Sequence, residues 1–369
     1  MSLYEDRVEL FYKSVHFEKV DYIPFSACAS AAWSKLGGMV LRDYLQDYEK
    51  ALDVNIRCSK EFGADSVQGV LECPFLSANN WLSNIAMPGD PGVGEDDLWQ
   101  IKEKELVRFD DYKFLEEQGF DAFESEILSR MDQDQVSPIA EFSKHIHTAE
   151  QQFVENGIPN IRSFIMVIPF ELLCGGRSLE AFFMDDLFDE PDYIEKIMDI
   201  IQEAQLKRYH KMMEEQKPIA VWIGGWRSTP EMVSPAIFDR FVWPYLKDFA
   251  NLCLEMSVVP MFHLDANWDS QLKRFLEIPE KSSVMCLDSK TNIRLAREVL
   301  GDHMCILGDV PANMQAFKKY EDVYAYVTAV IDDIGPYGYI AASGCDIPIN
   351  AKRECVKAIS DAAHQYKIR

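Results

Sequence analysis

Tyr339-Ile-Ala-Ala-Ser-Gly-Cys-Asp-Ile-Pro348 is an apolar run that breaks into small and ionisable residues and is stopped by a proline. Strands buried on both faces of a sheet read as short apolar runs, and the residues just past their C-terminal ends are where α/β enzymes keep their chemistry. Val258-Val-Pro-Met-Phe-His-Leu-Asp265 has the same form but ends in His263 and Asp265 instead of a cysteine. The expectation is that these two strand ends meet at one site.

Working outward, eight strand candidates begin near residues 22, 66, 161, 218, 258, 283, 304 and 339. Most are followed by a stretch with helical spacing, such as 41–62, 191–215, 236–256, 291–300, 320–334 and 351–366. Strand–helix alternation implies parallel pairing through right-handed crossovers. Eight such units predict an α/β fold of the closed (β/α)8, or TIM, barrel type, which needs about 250 residues before insertions. An open doubly wound sheet is the alternative, but no GxGxxG or GxxxxGK[ST] follows any strand. Residues 74–157 break the rhythm, with turn chemistry at Pro88-Gly-Asp-Pro-Gly-Val-Gly94, a hairpin expected at Leu98–Phe109 and polar helices at 111–119 and 133–156. This stretch reads as an insertion after the second strand, set into a single domain covering 1–369.

The chain carries 37 basic against 61 acidic residues, a net charge of −24. That excludes the basic footprint by which proteins hold nucleic acids or anionic membrane surfaces. Nine cysteines, without a CxxC pair, suit a reducing compartment in a chain this long. The N-terminus lacks a signal-peptide core and no long uncharged apolar run is present, so a cytoplasmic location is expected.

If the strands form a barrel, their C-terminal ends face one mouth and bring together Cys28, Glu72, Cys73, Glu171, Trp226, Arg227, His263, Asp265, Asp288, Asp309, Cys345 and Asp346. His263 and Asp265 are two apart on a strand, so their side chains point to the same side. With Cys345 they make a set of imidazole, carboxylate and thiolate, all sound zinc ligands, and three protein ligands with an open position is the catalytic pattern. The competing reading is a buried cysteine beside an ordinary His-x-Asp. Glu171 fits a fourth ligand, a general acid/base, or a solvated carboxylate at a helix start. Arg227, after Gly224-Gly225-Trp226, fits a clamp for an anionic group or a partner of a neighbouring acid. Asp288 and Asp309 precede helices and read as N-caps. Trp226 and Trp268 suit an aromatic pocket, and Trp222 suits the core. His145, His147, His210, His303 and His364 read as surface residues.

Lys19-Val-Asp-Tyr-Ile-Pro24, Phe62-Gly-Ala-Asp65, Met232-Val-Ser-Pro-Ala-Ile-Phe238 with Trp243-Pro244, Phe262-His-Leu-Asp265, Gly308-Asp-Val-Pro311 and Ser343-Gly-Cys-Asp-Ile-Pro348 together give the chain another handle. In these motifs it resembles the uroporphyrinogen decarboxylase superfamily, closer to its corrinoid methyltransferase branch than to the decarboxylases. The resemblance implies a (β/α)8 barrel. The decarboxylases carry an arginine-rich N-terminal signature, whereas Phe25–Trp33 here contains no arginine. The methyltransferase branch binds zinc through His-x-Cys and a distant Cys after Gly; His263 and Cys345 match, and Asp265 stands where that branch has its middle Cys. The resemblance therefore implies zinc held by His263, Asp265 and Cys345; the reading of the strand ends adds Glu171 and Arg227 as catalytic residues. It also implies methyl transfer between a small methyl ether, amine or thiol and a corrinoid (cobalamin) carried by a partner protein, a homodimer being left open. Two alternatives remain: a metal-free decarboxylase or lyase on the same barrel, and a non-catalytic binding scaffold.

Overall fold

The computed structural model describes residues 2–131 and 136–368. Its centre is a six-stranded parallel sheet in the order β10-β9-β8-β7-β6-β5. These strands are β5 (Ile165–Val167), β6 (Ala220–Gly225), β7 (Val259–Leu264), β8 (Val284–Leu287), β9 (Cys305–Val310) and β10 (Tyr339–Ser343). Each pairs with its neighbour in sequence, as right-handed helical crossovers produce. Two short strands, β1 (Ser26–Ala27) and β2 (Ser66–Val67), form a separate parallel pair. Isolated parallel bridges tie that pair to the rest: Phe25 to Ala341 of β10 on one side, Val67 to Asn160, just ahead of β5, on the other.

The sheet has two apolar faces, set by alternation along each strand. One face supplies Val221 and Ile223, Phe262 and Leu264, Met285 and Leu287 to the large core shared with the helices. The opposite face supplies Ala220 and Trp222, Val259 and Met261, Val284 and Cys286, Cys305 and Leu307, and Ile340 and Ala342 to a second cluster. Cys28 and Ile161 join the second cluster, and the helix Leu3–Val15 adds Phe11 and Val15. Both faces of the sheet are thus dry, which explains why its strands read as continuous apolar runs. His263 is two residues beyond Met261, so it extends this second face toward the C-terminal end of β7.

The long helices fall where periodicity places them: Tyr48–Glu61, Pro191–Gln216, Trp243–Glu255, Ile293–Leu300, Tyr320–Ile334 and Arg353–Gln365. Several details differ from expectation. The predicted helix 41–62 is broken at Asp47, which caps its second half by accepting from the Lys50 N–H. The hairpin lies earlier than 98–109: β4 (Gln100–Lys102) pairs antiparallel with β3 (Asn84–Ala86), whose three residues are too few for a periodic signal. Pro169 starts a helix, Pro169–Arg177, because its missing N–H costs nothing at the first helical position. Between β3 and β5 the chain also forms the helices Asp111–Gln118, Phe120–Ser129 and Val136–Glu155; the start of the predicted helix 133–156 lies outside the described residues. No helix among the described residues is long and apolar enough to cross a membrane. The nine cysteines are free thiols.

Candidate metal centre

Three residues from two strand ends converge. The ligand atoms of His263, Asp265 and Cys345 all lie within 4.8 Å of one another. His263 Nε2 is 3.5 Å from Cys345 Sγ and 3.5 Å from an Asp265 carboxylate oxygen. His263 is buried at the end of β7, on the face of the sheet that carries Trp222 and Met261, while Asp265 is about one-third exposed. The group therefore combines an imidazole at the end of the sheet with an oxygen and a sulfur nearer solvent.

Local structure explains why these side chains meet. Beyond β7 the backbone turns at Ala266, whose φ of 67° is in the left-handed region. That turn is held by Asp288, which accepts from the Ala266 N–H at 2.8 Å and the Lys290 N–H at 2.8 Å. The Trp268 indole N–H donates to the Asp265 carbonyl at 2.6 Å, and the Trp268 ring is fully buried. Past β10, Gly344 packs on the Asp288 backbone, which a Cβ would meet at 2.8 Å. Asp346 then accepts from the Ser30 N–H at 3.2 Å, the Ser30 hydroxyl at 2.8 Å and the Cys28 thiol at 3.1 Å. Cys345 is thus fastened on one side to the segment after β8 and on the other to the segment after β1.

The electrostatics favour a cation. Burial works against ionisation of Asp265, yet the hydrogen bond and charge of His263, helped by Cys345, outweigh it and hold the carboxyl below its ordinary range. Burial, then the charges of Asp346 and Asp265, push the Cys345 thiol well up. A divalent ion inverts that logic, since it deprotonates a coordinating thiol outright. An N, O and S donor set with an accessible side matches a three-ligand zinc site with room for a fourth group. The residues present fit zinc.

The other expected residues are placed differently from one another. Glu171 lies in the first turn of Pro169–Arg177 and is fully buried. One carboxylate oxygen accepts from the N–H groups of Trp226, Arg227 and Ser228, each at 2.8 Å, and from the Ser228 hydroxyl at 2.7 Å; the other accepts from the Arg227 N–H at 3.0 Å. Burial pushes its carboxyl up and these donors pull it back. It anchors the loop after β6 and is not among the three clustered ligands. Arg227 donates to the Cys174 carbonyl at 3.2 Å and lies 3.7 Å from Glu103. The benzo edge of Trp226 crowds Gly224, where a Cβ would sit 1.9 Å from it, and the ring centroid is 6.5 Å from that of His263.

Several expectations are corrected. Asn292, not Asp288, caps Ile293–Leu300, because Asp288 is used by the turn after β7. Asp309 belongs to β9 and accepts from the Tyr326 hydroxyl at 3.0 Å. Trp268 is core and does not line a pocket. His364 is no bare surface residue: it lies 2.7 Å from buried Asp65. Arg162, ahead of β5, is a further charged residue of this region, signalled in sequence by a charge inside Ile161-Arg-Ser-Phe-Ile-Met-Val-Ile168; it lies 3.5 Å from Glu72.

Comparison with known proteins places this geometry. The family model for uroporphyrinogen decarboxylase (URO-D) matches residues 168–366, which hold β6 to β10 and all three clustered ligands. The chain belongs to the uroporphyrinogen decarboxylase family. Curated URO-D relatives share a shorter stretch: the human and Pongo abelii uroporphyrinogen decarboxylases are each 26% identical over 141 residues, 36% of this chain and 37% of theirs. A methyltransferase from Methanosarcina mazei has a similar structure, with a TM-score of 0.69 and 17% identity, covering 97% of this chain and 98% of that one. At that identity the likeness to the methyltransferase is one of fold.

Proposed function

We propose that this URO-D family member is a zinc-dependent methyltransferase moving a methyl group between a small methylated substrate (an ether, amine or thiol) and a corrinoid carried by a separate protein. In this reading the six-stranded sheet and the β1–β2 pair close, through their bridges, into a (β/α)8 barrel. Residues 74–157 are an insertion beside its mouth, and the protein works in the cytoplasm.

The observation that carries the reading is the cluster of His263, Asp265 and Cys345 at strand ends. Zinc held there would act as a Lewis acid on the substrate heteroatom. Asp265, already favoured as the carboxylate, supplies negative charge at the exposed side. The pinning of Cys345 through Asp346 and Gly344 fixes the sulfur's position before substrate arrives, so little ordering remains to be done in the reaction. Glu171 serves by shaping the loop that presents Trp226 and Arg227, and Arg227 orients the substrate from that loop.

Cys345→Ser tests the reading through metal content measured beside methyl transfer to a corrinoid protein. Loss of both is expected; loss of transfer with unchanged metal would contradict the ligand assignment. A second reading, a metal-free decarboxylase, is favoured by the URO-D match itself. Carbon dioxide release from a carboxylated substrate by the chelator-treated protein would support it over methyl transfer.

A further inference from the structure

A histidine that binds a metal through one ring nitrogen almost always donates its other N–H to a carboxylate, a backbone carbonyl or water, which fixes the ring's orientation. His263 departs from this. Its Nε2 faces Cys345 and Asp265, and its Nδ1 is buried without a protein hydrogen-bond partner among the described residues. What does touch the ring is Trp222. The two rings are stacked 3.9 Å apart between centroids and 10° from parallel.

Trp222 is itself held by a cation. The Arg162 guanidinium lies 4.7 Å from its ring centroid, and Arg162 is 3.5 Å from Glu72. Gly69 leaves room for this arrangement, since a Cβ there would sit 2.1 Å from an Arg162 nitrogen. A chain of contacts therefore runs from Glu72 through Arg162 and Trp222 to His263. The register of β6 and β7, which sets Trp222 opposite Met261 and Gly224 opposite His263, places the two rings side by side. A planar guanidinium stacks on an indole in a way an ammonium does not.

We propose that Trp222, clamped by Arg162, is the positioning residue that aims His263 Nε2 at the metal, in place of the second hydrogen bond ligating histidines ordinarily make. This rests on the zinc reading above. The stack fixes the plane of the imidazole and blocks rotation about its side-chain torsion. The electron-rich indole face also favours the electron-poor imidazole of a metal-bound histidine.

The test is cobalt(II) and zinc affinity, by competition with a chromophoric chelator, with the cobalt(II) spectrum and the melting temperature recorded for each protein. Trp222→Leu should weaken affinity by about 10- to 100-fold, the range seen for lost outer-shell partners, and should broaden or shift the cobalt bands. Trp222→Phe, which keeps a stacking ring, should restore most of the affinity and the wild-type spectrum. The Arg162→Met/Glu72→Gln double variant removes the clamp without emptying the core and should weaken binding to a smaller degree; it carries the test if Trp222→Leu does not fold. Wild-type affinity in both Trp222→Leu and the double variant would overturn the proposal, as would Trp222→Phe losing as much affinity as Trp222→Leu. A wild-type protein that binds neither ion is a different failure, that of the zinc reading itself.

Discussion

Replacing Glu171 by glutamine separates two roles for the same carboxylate. As an acid or base in the reaction, Glu171 would leave the folded protein nearly as stable when neutralised, and only turnover would suffer. As the anchor of the loop after β6, its loss must appear in stability. The structure sets the size. Glu171 is fully buried and accepts from three consecutive backbone N–H groups and one hydroxyl. A glutamine retains one acceptor oxygen but turns an NH2 toward at least one of those donors. Hydrogen bonds to a charged group are worth ~1.5–3 kcal/mol each, and a buried donor left unpaired costs ~1–3 kcal/mol. Because the bonds share one carboxylate they do not add, and a net loss of about 2–4 kcal/mol follows. Against a total stability of ~5–15 kcal/mol that is a large share. Urea denaturation of Glu171→Gln beside wild type measures it. A difference under about 0.5 kcal/mol, the scatter of ordinary surface changes, combined with lost turnover, would refute the anchoring argument and return Glu171 to the chemistry.

Two further outcomes follow from single contacts. Burial raises the Asp309 carboxyl to about 6 from an ordinary 3.8. The folded chain therefore keeps a proton the unfolded chain has released between those values, and stability falls as pH rises through that window, with the full penalty present above it. About two pKa units correspond to at most about 3 kcal/mol, so Asp309→Asn should gain on wild type by up to that amount between about pH 3.5 and pH 7.5 in paired denaturation curves; a pH-independent difference would contradict it. Gly224→Ala sets a methyl 1.9 Å from the Trp226 ring and must displace it. Overpacking of this kind costs ~1–3 kcal/mol, and the Trp226 side chain should lose its 4.9 Å edge contact with Trp81, which tryptophan fluorescence and a structure of the variant would show.

Much of this was legible in the amino-acid order for identifiable reasons. The central strands bury both faces, so Val258–Leu264 and Tyr339–Ser343 stand out as apolar runs, and the two-residue spacing of His263 and Asp265 gives a shared direction without any coordinates. Cys345 could be added because strand ends converge. What sequence does not carry is the partner of a loop carboxylate. Glu171, Asp288 and Asp346 look alike on paper, yet each holds different backbone N–H groups, brought near by strands far away in the chain. The hairpin was misplaced because Asn84–Ala86 is too short to show alternation. The π-helical turns Phe182–Asp189, which ends a helical segment, and Phe238–Val242, which interrupts one, leave no local signature either.

The central claim is that His263, Asp265 and Cys345 form a zinc site, and metal content tests it most directly. Purified wild-type protein, as isolated and after incubation with zinc followed by gel filtration, is measured by elemental analysis beside His263→Ala. The account predicts about one zinc per wild-type chain, as one set of three protein ligands with an open fourth position implies, and loss of that zinc in the variant with the fold intact. A folded wild-type protein that retains no metal after incubation, or a His263→Ala variant that retains as much as wild type, would contradict it.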